Sequence, residues 1–183
     1  MKSHSKYSVP EIENILQTMT IIVDTREQPS ARAEQRYKSF NVPYTRQKLE
    51  YGDYTYNFEI NGKPYFPTNH FILPDVMIER KKDLEELSQC FCRDRKRFEA
   101  EFQRAKHQGA SIYLLIEDGN MEKLIHGRYK TKFNPKSFLG SLVSWSIRFN
   151  IKIFFIQHEI SGQLIKEILY KELKERLEGG FYD

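Results

Sequence analysis

The sequence is poor in cysteine and has no long apolar segment. Its two cysteines, Cys90 and Cys92, are separated by one residue, which is too close for an ordinary disulfide to staple the fold. No other cysteine or cluster of histidines completes a zinc site with them. No apolar run approaches the roughly 20 residues that a membrane span requires. These absences exclude a disulfide scaffold, a zinc module and a membrane protein.

The N-terminus gives no sign of export. Residues 1–7 are polar, and no apolar segment of the signal-peptide type follows them. Because the cysteines also point to a reducing compartment, we expect a cytoplasmic protein. The 183 residues are enough for one domain with a substantial core but not comfortably for two. We therefore expect an N-terminal arm over residues 1–18 and a single domain over residues 19–183.

Basic residues outnumber acidic residues only slightly. The 29 Lys and Arg exceed the 25 Asp and Glu by four, and the pI is about 8.9. An excess this small is compatible with a polyanionic partner but does not demonstrate one. The local clustering of charge has to decide whether such a partner exists.

Two local clusters of basic residues are candidates for contact with nucleic acid. Residues 93–97 carry four basic side chains in five positions, and residues 123–136 mix basic side chains with Tyr129 and Phe133. Basic and aromatic side chains together are typical of a groove for unpaired or distorted DNA. The alternative for each cluster is an ordinary solvated surface. The candidate DNA-binding residues are Arg95, Arg97, Arg128, Lys130 and Lys132.

Strand-like and helix-like patterns alternate along the chain. Short β-branched and aromatic runs separate segments whose apolar residues recur every three or four positions. Asn61-Gly62 is a strong signal for an inserted β-hairpin. This order predicts an α/β fold, with a mixed β-sheet flanked by helices. We expect strands at residues 19–23, 54–60, 63–66, 75–79, 111–116 and 151–156, and helices at residues 10–16, 31–40, 84–107, 135–149 and 164–177. The pattern leaves open whether residues 84–107 form one helix or two.

Acidic residues lie at the ends of three predicted strands. Asp24 and Glu27 come after the first strand, and Asp53 and Glu79 lie at two others. Carboxylates collected at strand ends can hold Mg²⁺, which binds a few of them and keeps waters for a substrate phosphate. Lys81 alternates to the same side as Glu79, where its ammonium could orient or help deprotonate an attacking water. The alternative is a charged strand exit without chemistry.

Three ordered motifs, at residues 23–27, 52–54 and 78–81, resemble the signature of the XPF-type structure-specific nucleases. The resemblance runs from about residue 20 to residue 156 and implies a restriction-endonuclease-like fold for the domain. It also implies that Asp53 and Glu79 bind metal, with the carbonyl oxygen of Arg80 as a candidate third ligand, and that Lys81 is the catalytic lysine. Its supporting site residues would be Asp24, Arg26 and Glu27, with Asp24 a further candidate metal ligand.

The sequence departs from the family pattern in two places. The aspartate that the family has four residues after the lysine is Glu85 here, and it is kept as a candidate metal ligand. The connection between Asp53 and Glu79 is also longer than usual, which leaves space for the hairpin. The length of the chain fits a small stand-alone form such as those encoded by phages or prophages.

The resemblance implies a Mg²⁺- or Mn²⁺-dependent DNA endonuclease that hydrolyses phosphodiester bonds at branched, flap or junction DNA. It also implies a homodimer, because C-terminal elements of this domain commonly dimerise in the family. Two alternatives stay open. The chain could be a non-catalytic DNA-binding scaffold beside an active partner, or a nuclease that acts on RNA, since the metal chemistry is the same for either sugar.

Overall fold

The computed structural model describes residues 5–68 and 70–183. The strands in these ranges are β1 (Thr20–Val23), β2 (Tyr44–Arg46), β3 (Tyr54–Asn57), β4 (Glu59–Ile60), β5 (Lys63–Pro64), β6 (Val76–Lys81), β7 (Ser111–Glu117) and β8 (Ile151–Ile156). The helices are α1 (Val9–Gln17), α2 (Ala31–Lys38), α3 (Leu84–Phe91), α4 (Arg95–His107), α5 (Met121–Ile125), α6 (Pro135–Phe149) and α7 (Ser161–Glu178). None of these helices is both long enough and apolar enough to cross a bilayer.

A mixed sheet forms the middle of the fold. Its strand order within the described residues is β2-β1-β3-β6-β7-β8. β1 pairs in parallel with β2, while β3 runs antiparallel between β1 and β6. β6, β7 and β8 are parallel to one another, and their connections carry helices. The predicted α/β fold with a mixed sheet flanked by helices is therefore confirmed.

Two apolar layers cover the two faces of the sheet. One layer lies between the sheet and α1, α2 and α7, and includes Ile21, Tyr54 and Leu169. The other lies between the sheet and α3, α4 and α6, and includes Phe102 and Trp145. Because both faces are covered, the central strands are buried throughout, as in other sheets with helices on both sides.

The alternation of β6 distributes its side chains between these layers. Val76 and Ile78 belong to the layer of α1, α2 and α7, whereas Met77 belongs to the layer of α3, α4 and α6. The same two-residue period sends Glu79 and Lys81 toward α3 and α4. The Lys81 Nζ accordingly lies 4.9 Å from the centre of the Phe98 ring on α4. β6 thus supplies Glu79 and Lys81 to one side of the sheet and Arg80 to the other side.

The region of the inserted hairpin differs from the expected long ribbon. Asn61 and Gly62 form the tight turn between β4 and β5, with φ of 54° and 72°. These positive angles are what a two-residue hairpin turn of this kind needs. Residues 54–57, however, form the central strand β3 and pair with β1 instead of with the returning strand. The strand expected over residues 54–60 is thus divided between the central sheet and the hairpin, and all four residues of β3 are buried.

The segment 84–107 contains two helices rather than one. α3 ends at Phe91, and α4 begins at Arg95. The backbone N–H of Asp94 donates to the carbonyl of Gln89, which turns the chain between the two helices. This corner places part of the basic cluster at residues 93–97 near the end of β6. α5 was not predicted, because five residues with Leu124 as the one buried side chain are too few to give a periodic pattern.

Residues 5–18 are largely helical. Ser8 and Glu11 form a capping box at the start of α1, where Glu11 accepts from both the backbone and the hydroxyl of Ser8. Ile12, Ile15 and Leu16 are buried in the same layer as α7. The segment predicted as an arm therefore contributes apolar side chains to the core.

Gly162 lies where α7 begins against α2. A Cβ at this position would collide with the Ser39 hydroxyl and the backbone carbonyl of Arg36. We expect Gly162→Ala to lower the free energy of unfolding by about 1–3 kcal/mol, because the two helices must separate. Gly140→Ala is the matched control, since a Cβ on Gly140 meets nothing within 4 Å. Urea unfolding checks this, and an unchanged midpoint for Gly162→Ala would contradict it.

Candidate active site

The ends of neighbouring strands enclose a polar cleft of about 430 Å³. β1 and β6 end at this edge of the sheet, and β3 begins there because it runs antiparallel to both. Side chains of α3 and α4 close the cleft from one side. The residues that line it are Arg26, Glu27, Gln28, Ser30, Gly52, Asp53, Glu79, Arg80, Lys81, Glu86, Arg97 and Glu101.

Asp53 is held tightly at the start of β3. Its backbone N–H donates to the carbonyl of Ile78 (2.9 Å), and its own carbonyl accepts from the N–H of Asp24 (2.8 Å). One carboxylate oxygen, Oδ2, accepts from the backbone N–H of Arg80 (2.8 Å). Gly52 makes this approach possible, since its φ is +77° and a Cβ would lie 2.7 Å from the Met77 side chain. The Gly-Asp pair thus fixes a carboxylate beside the end of β6.

The cleft contains several acids close together. Burial raises the pKa of Asp53 well above its ordinary value, and the charge of Glu79 raises it further. Burial also raises the pKa of Glu79, with Lys81 acting in the opposite direction. Glu101 on α4 has its pKa raised by burial, and it adds to the negative potential at Glu79. The site therefore has an excess of negative charge that a cation would relieve.

Lys81 provides one positive charge in the cleft. Its Nζ donates to Oε1 of Glu79 at 2.6 Å and lies 3.8 Å from Glu86 Oε1. Burial opposes its charge, but the attraction of Glu79 and Asp53 is larger and raises its pKa above the ordinary value. Lys81 is consequently protonated throughout the neutral pH range.

Asp24 supports the site from below the cleft. Its Oδ1 accepts from the backbone N–H and the Nε of Arg26, both at 2.7 Å, and its Oδ2 accepts from the N–H of Leu49 (2.7 Å). Arg26 in turn reaches toward Glu101 at 3.5 Å. Asp24 does not line the cleft, and these donors already engage both of its oxygens. Its side chain anchors Arg26 at the mouth of the cleft.

A buried network of two glutamates and two arginines lies on the side of the sheet that α2 and α7 cover, away from Glu79 and Lys81, and two of its members, Glu27 and Arg80, also line the cleft. Arg36 donates to Glu27 (3.1 Å) and Glu117 (3.3 Å), and Arg80 donates to the same two carboxylates, each at 3.2 Å. Tyr54 also donates to Glu27 (3.0 Å). We call these four charged residues the Glu–Arg network. It neutralises itself and holds the side chain of Arg80, whose backbone N–H binds Asp53.

Glu85 and Glu86 occupy different surroundings. Glu85 Oε1 accepts from the backbone N–H of Lys130 (2.9 Å), and Glu85 does not line the cleft. Glu86 lines the cleft, and its Oε2 accepts from the N–H of Lys82 (2.9 Å). The acid that faces Lys81 is thus one position further along the chain than the family pattern places it.

The sequence-based candidates divide into two groups. The cleft brings together Asp53, Glu79, Lys81, Arg26, Glu27, Arg97 and Arg80. It does not include Asp24, Glu85, Arg95, Arg128, Lys130 or Lys132. Arg95 instead packs over the Trp145 ring and donates to Phe91 and Ser141. Arg128 pairs with exposed Glu122.

Sequence reasoning missed Glu86 and Glu101. Glu86 directly follows Glu85, the candidate that was named, and Glu101 lies on α4. Arg97 and Glu101 are four residues apart on one helix and share a helical face, and this spacing is the signal that could have identified Glu101.

A second acidic group lies at the ends of β7 and β8. Asp118, His158 and Glu159 present ligand atoms within 4.8 Å of one another. His158 already contacts Asp118 at 3.1 Å and Glu159 at 3.4 Å, and Arg32 pairs with Asp118 at 3.1 Å. The three side chains are thus satisfied by one another and by an arginine.

Comparison with known proteins places the chain in a family. The ERCC4 domain model matches residues 23–168. XPF from Aeropyrum pernix superposes with a TM-score of 0.59 at 14% identity, and XPF from Aeropyrum pernix in complex with DNA with a TM-score of 0.58 at 16% identity. Both alignments cover 86% of this chain and 66% of the other, so the chain spans about two thirds of their length. None of the curated proteins searched matches the sequence.

The family match covers most of the chain and contains every strand of the cleft, from the end of β1 onward. The structural match, at low sequence identity, shows that this chain has the same fold as the XPF structure, with the same arrangement of the sheet and its helices. The resemblance to XPF-type nucleases expected from the three motifs is confirmed, and the chain belongs to the ERCC4 domain family.

Proposed function

We propose that this protein is a divalent-metal-dependent DNA endonuclease that hydrolyses phosphodiester bonds at branched, flap or junction DNA. The observation that carries the proposal is the grouping of Asp53, Glu79 and Lys81 in one cleft of an ERCC4-family chain. A scaffold would have no need to keep buried like charges together, because their repulsion opposes folding.

The donor set of the cleft fits Mg²⁺ or Mn²⁺. Asp53 and Glu79 are neighbouring carboxylates whose pKa values are raised chiefly by burial, and the charge of Glu79 raises the pKa of Asp53 further. Hard oxygen donors of this kind are what these ions bind, and the carbonyl oxygen of Arg80 would be a further donor. When bound, the ion would stabilise negative charge on the phosphoryl oxygens. Glu101 and Glu86 line the same cleft and are candidates for contact with metal-bound water.

The protein's own groups have distinct tasks in this proposal. Lys81 is held beside Glu79, so its side chain would orient or help deprotonate the attacking water and offset charge on phosphorus. Arg26 and Arg97, both at the cleft, would bind the flanking phosphates. Asp24 would keep Arg26 in place. The DNA in this proposal is supported by the similar XPF structure that was solved in complex with DNA.

The proposal is tested by a panel of DNA substrates. Purified protein is incubated with duplex, single-stranded, flap, fork and four-way junction DNA, with and without Mg²⁺. We expect Mg²⁺-dependent cleavage of the branched substrates and little cleavage of blunt duplex. Binding without cleavage under every metal condition would instead support the scaffold alternative. RNA versions of the fork, tested in parallel, show whether the protein cleaves DNA or RNA.

Homodimerisation would use the outer face of α6 and the free edge of β8. The apolar stripe of α7 is buried in the core, so it does not supply an interface. Val143 and Ile147 are four residues apart on α6 and 46% and 77% exposed, and the half-buried Ile153 and Phe155 lie on β8 beside them. β8 ends the sheet within the described residues, so its backbone can pair with a second copy.

We expect Ile147→Glu to convert the protein from a dimer to a monomer, because a charge would be buried at the centre of this face. Light scattering coupled to size exclusion measures the mass. Val9→Glu changes an equally exposed apolar residue on α1 and should leave the dimer intact. A wild-type protein that is monomeric at tens of micromolar would contradict this prediction.

A further inference from the structure

A second cavity, of about 480 Å³, lies on the other side of α3 from the cleft. Its walls are the C-terminal end of α3 and the segment at residues 131–133 that precedes α6. Arg93 and Lys132 contribute positive charge, Phe133 an aromatic ring, and Gln89 an amide that can both donate and accept. None of the described residues that line this cavity is acidic.

The wall formed by residues 130–133 is fixed to α3 rather than loose. The hydroxyl of Ser88 donates to that of Thr131 (2.9 Å), and Glu85 accepts from the backbone N–H of Lys130 (2.9 Å). Phe133 packs against Phe138, with ring centres 5.2 Å apart. The cavity is therefore already formed in the free protein, which lowers the entropy cost of binding a ligand there.

The basic charge of the cleft continues toward this cavity. Arg97 lines the cleft, and Arg93, four residues earlier at the corner between α3 and α4, lines the cavity. A DNA strand that leaves the cleft at Arg97 would meet Arg93 next and then Lys132. The cavity beside α7 has the opposite net charge, since it is lined by Glu167, Glu172 and Glu175 with one lysine, Lys171.

We propose that this cavity binds an unpaired nucleotide of the DNA strand that enters the cleft, its phosphate meeting Arg93 and Lys132 and its base meeting Phe133 and Gln89. The proposal rests on the proposed function, because it assumes DNA in the cleft. A base within a duplex cannot enter such a cavity, since its edge and faces are occupied by its partner and neighbours. A free base offers an aromatic face and hydrogen-bonding edges, which are the groups that this lining complements. The cavity would thereby favour substrates with a single-stranded arm.

Cys92 reports on occupation of the cavity. It is exposed and lines the cavity, whereas Cys90 is buried and burial raises its pKa to about 11. A maleimide should therefore react with Cys92 alone, and Cys92→Ser identifies that reaction. The wild-type protein is alkylated in the presence of fork DNA or of blunt duplex. EDTA is added so that the DNA is not cleaved. Fluorescence anisotropy is used to set the same fraction of bound protein with each DNA.

We expect fork DNA to slow alkylation of Cys92 at least tenfold and blunt duplex to change it by less than twofold. Equal protection by both DNAs, or protection by neither when both are bound, would overturn the cavity proposal while leaving the nuclease proposal intact. If neither DNA binds, both proposals fail. If fork DNA protects Cys92 but is never cleaved with Mg²⁺, the cavity proposal stands and the nuclease proposal fails.

A pair of lysine variants tests the same proposal without a label. Lys132→Ala should weaken fork binding about fivefold and leave duplex binding unchanged, because Lys132 would meet DNA only when a nucleotide enters the cavity. Lys136→Ala removes the same charge from an exposed position outside the cavity and should affect both DNAs equally or not at all. Equal losses for the two DNAs with Lys132→Ala would overturn the assignment.

Discussion

Replacing Asp53 with asparagine is expected to abolish cleavage, with a loss in kcat of about a thousandfold or more. The change keeps the shape of the side chain and its hydrogen bond from the Arg80 N–H, but it removes the charge that a divalent ion needs. Glu79→Gln should have an effect of similar size for the same reason. Binding of fork DNA in EDTA should stay within about threefold, since neither acid is proposed to contact DNA directly.

Asp118→Asn is the matched control for this experiment. Asp118 directly follows β7, a position similar to that of Glu79 near the end of β6. Asp118 lies outside the cleft, however, and pairs with Arg32 and His158. Its amide variant should cleave DNA within about twofold of the wild type. Isothermal calorimetry with Mn²⁺ adds a readout that does not depend on activity, and Asp53→Asn should lose the binding signal. Full activity in both Asp53→Asn and Glu79→Gln would refute the metal site.

Much of the fold could be predicted from short-range patterns. The runs that became β6 and β7 are apolar enough to be buried on both faces, and each is followed by polar residues that end the strand. The helix predicted from residue 135 agrees with α6, because the Asn134 cap and the proline in the first turn are local signals. β3 was interpreted as part of a ribbon because its pairing with β1 is long-range and leaves no local signal.

The cleft was less predictable than the strands because helical rotation decides which acids face it. Asp83 caps α3 by accepting from the Glu86 N–H at 2.8 Å, and this start sets the direction of each following side chain. With that rotation Glu86 points toward Lys81, whereas Glu85 points toward the backbone of Lys130. Sequence spacing alone cannot distinguish adjacent positions on a helix whose first residue is not known.

The Glu–Arg network explains why Arg80 matters although its guanidinium points away from Glu79 and Lys81. The network binds the side chain of Arg80 on one face of the sheet, while the N–H of the same residue holds Asp53 at the cleft. The contacts within it join residues up to 81 positions apart, as in the contact of Arg36 with Glu117, so no motif connects them. The buried partners of the Arg80 side chain therefore help to position Asp53, because they hold the residue whose backbone N–H binds that carboxylate.

Arg36→Met is expected to lower the free energy of unfolding by about 3–5 kcal/mol, because it leaves two buried glutamates sharing one arginine. Arg36 is 3% exposed and also donates to Tyr54 and Ser161, so water cannot replace it. Guanidinium unfolding measures the loss as a lower midpoint at unchanged slope. Arg32→Met on the same helix breaks only the exposed pair with Asp118 and should cost about 1 kcal/mol or less.

Adding Glu117→Gln to Arg36→Met shows whether charge is the cause of that loss. The double variant again contains one glutamate and one arginine, so the remaining Glu27 and Arg80 can neutralise each other. We expect the double variant to be more stable than the sum of the two single losses predicts, by about 1–3 kcal/mol. Strictly additive losses would mean that Arg36 acts through packing alone. A loss below about 1 kcal/mol for Arg36→Met itself would show that the network contributes little to stability, and that Arg80 is positioned by the strand backbone rather than by its buried partners.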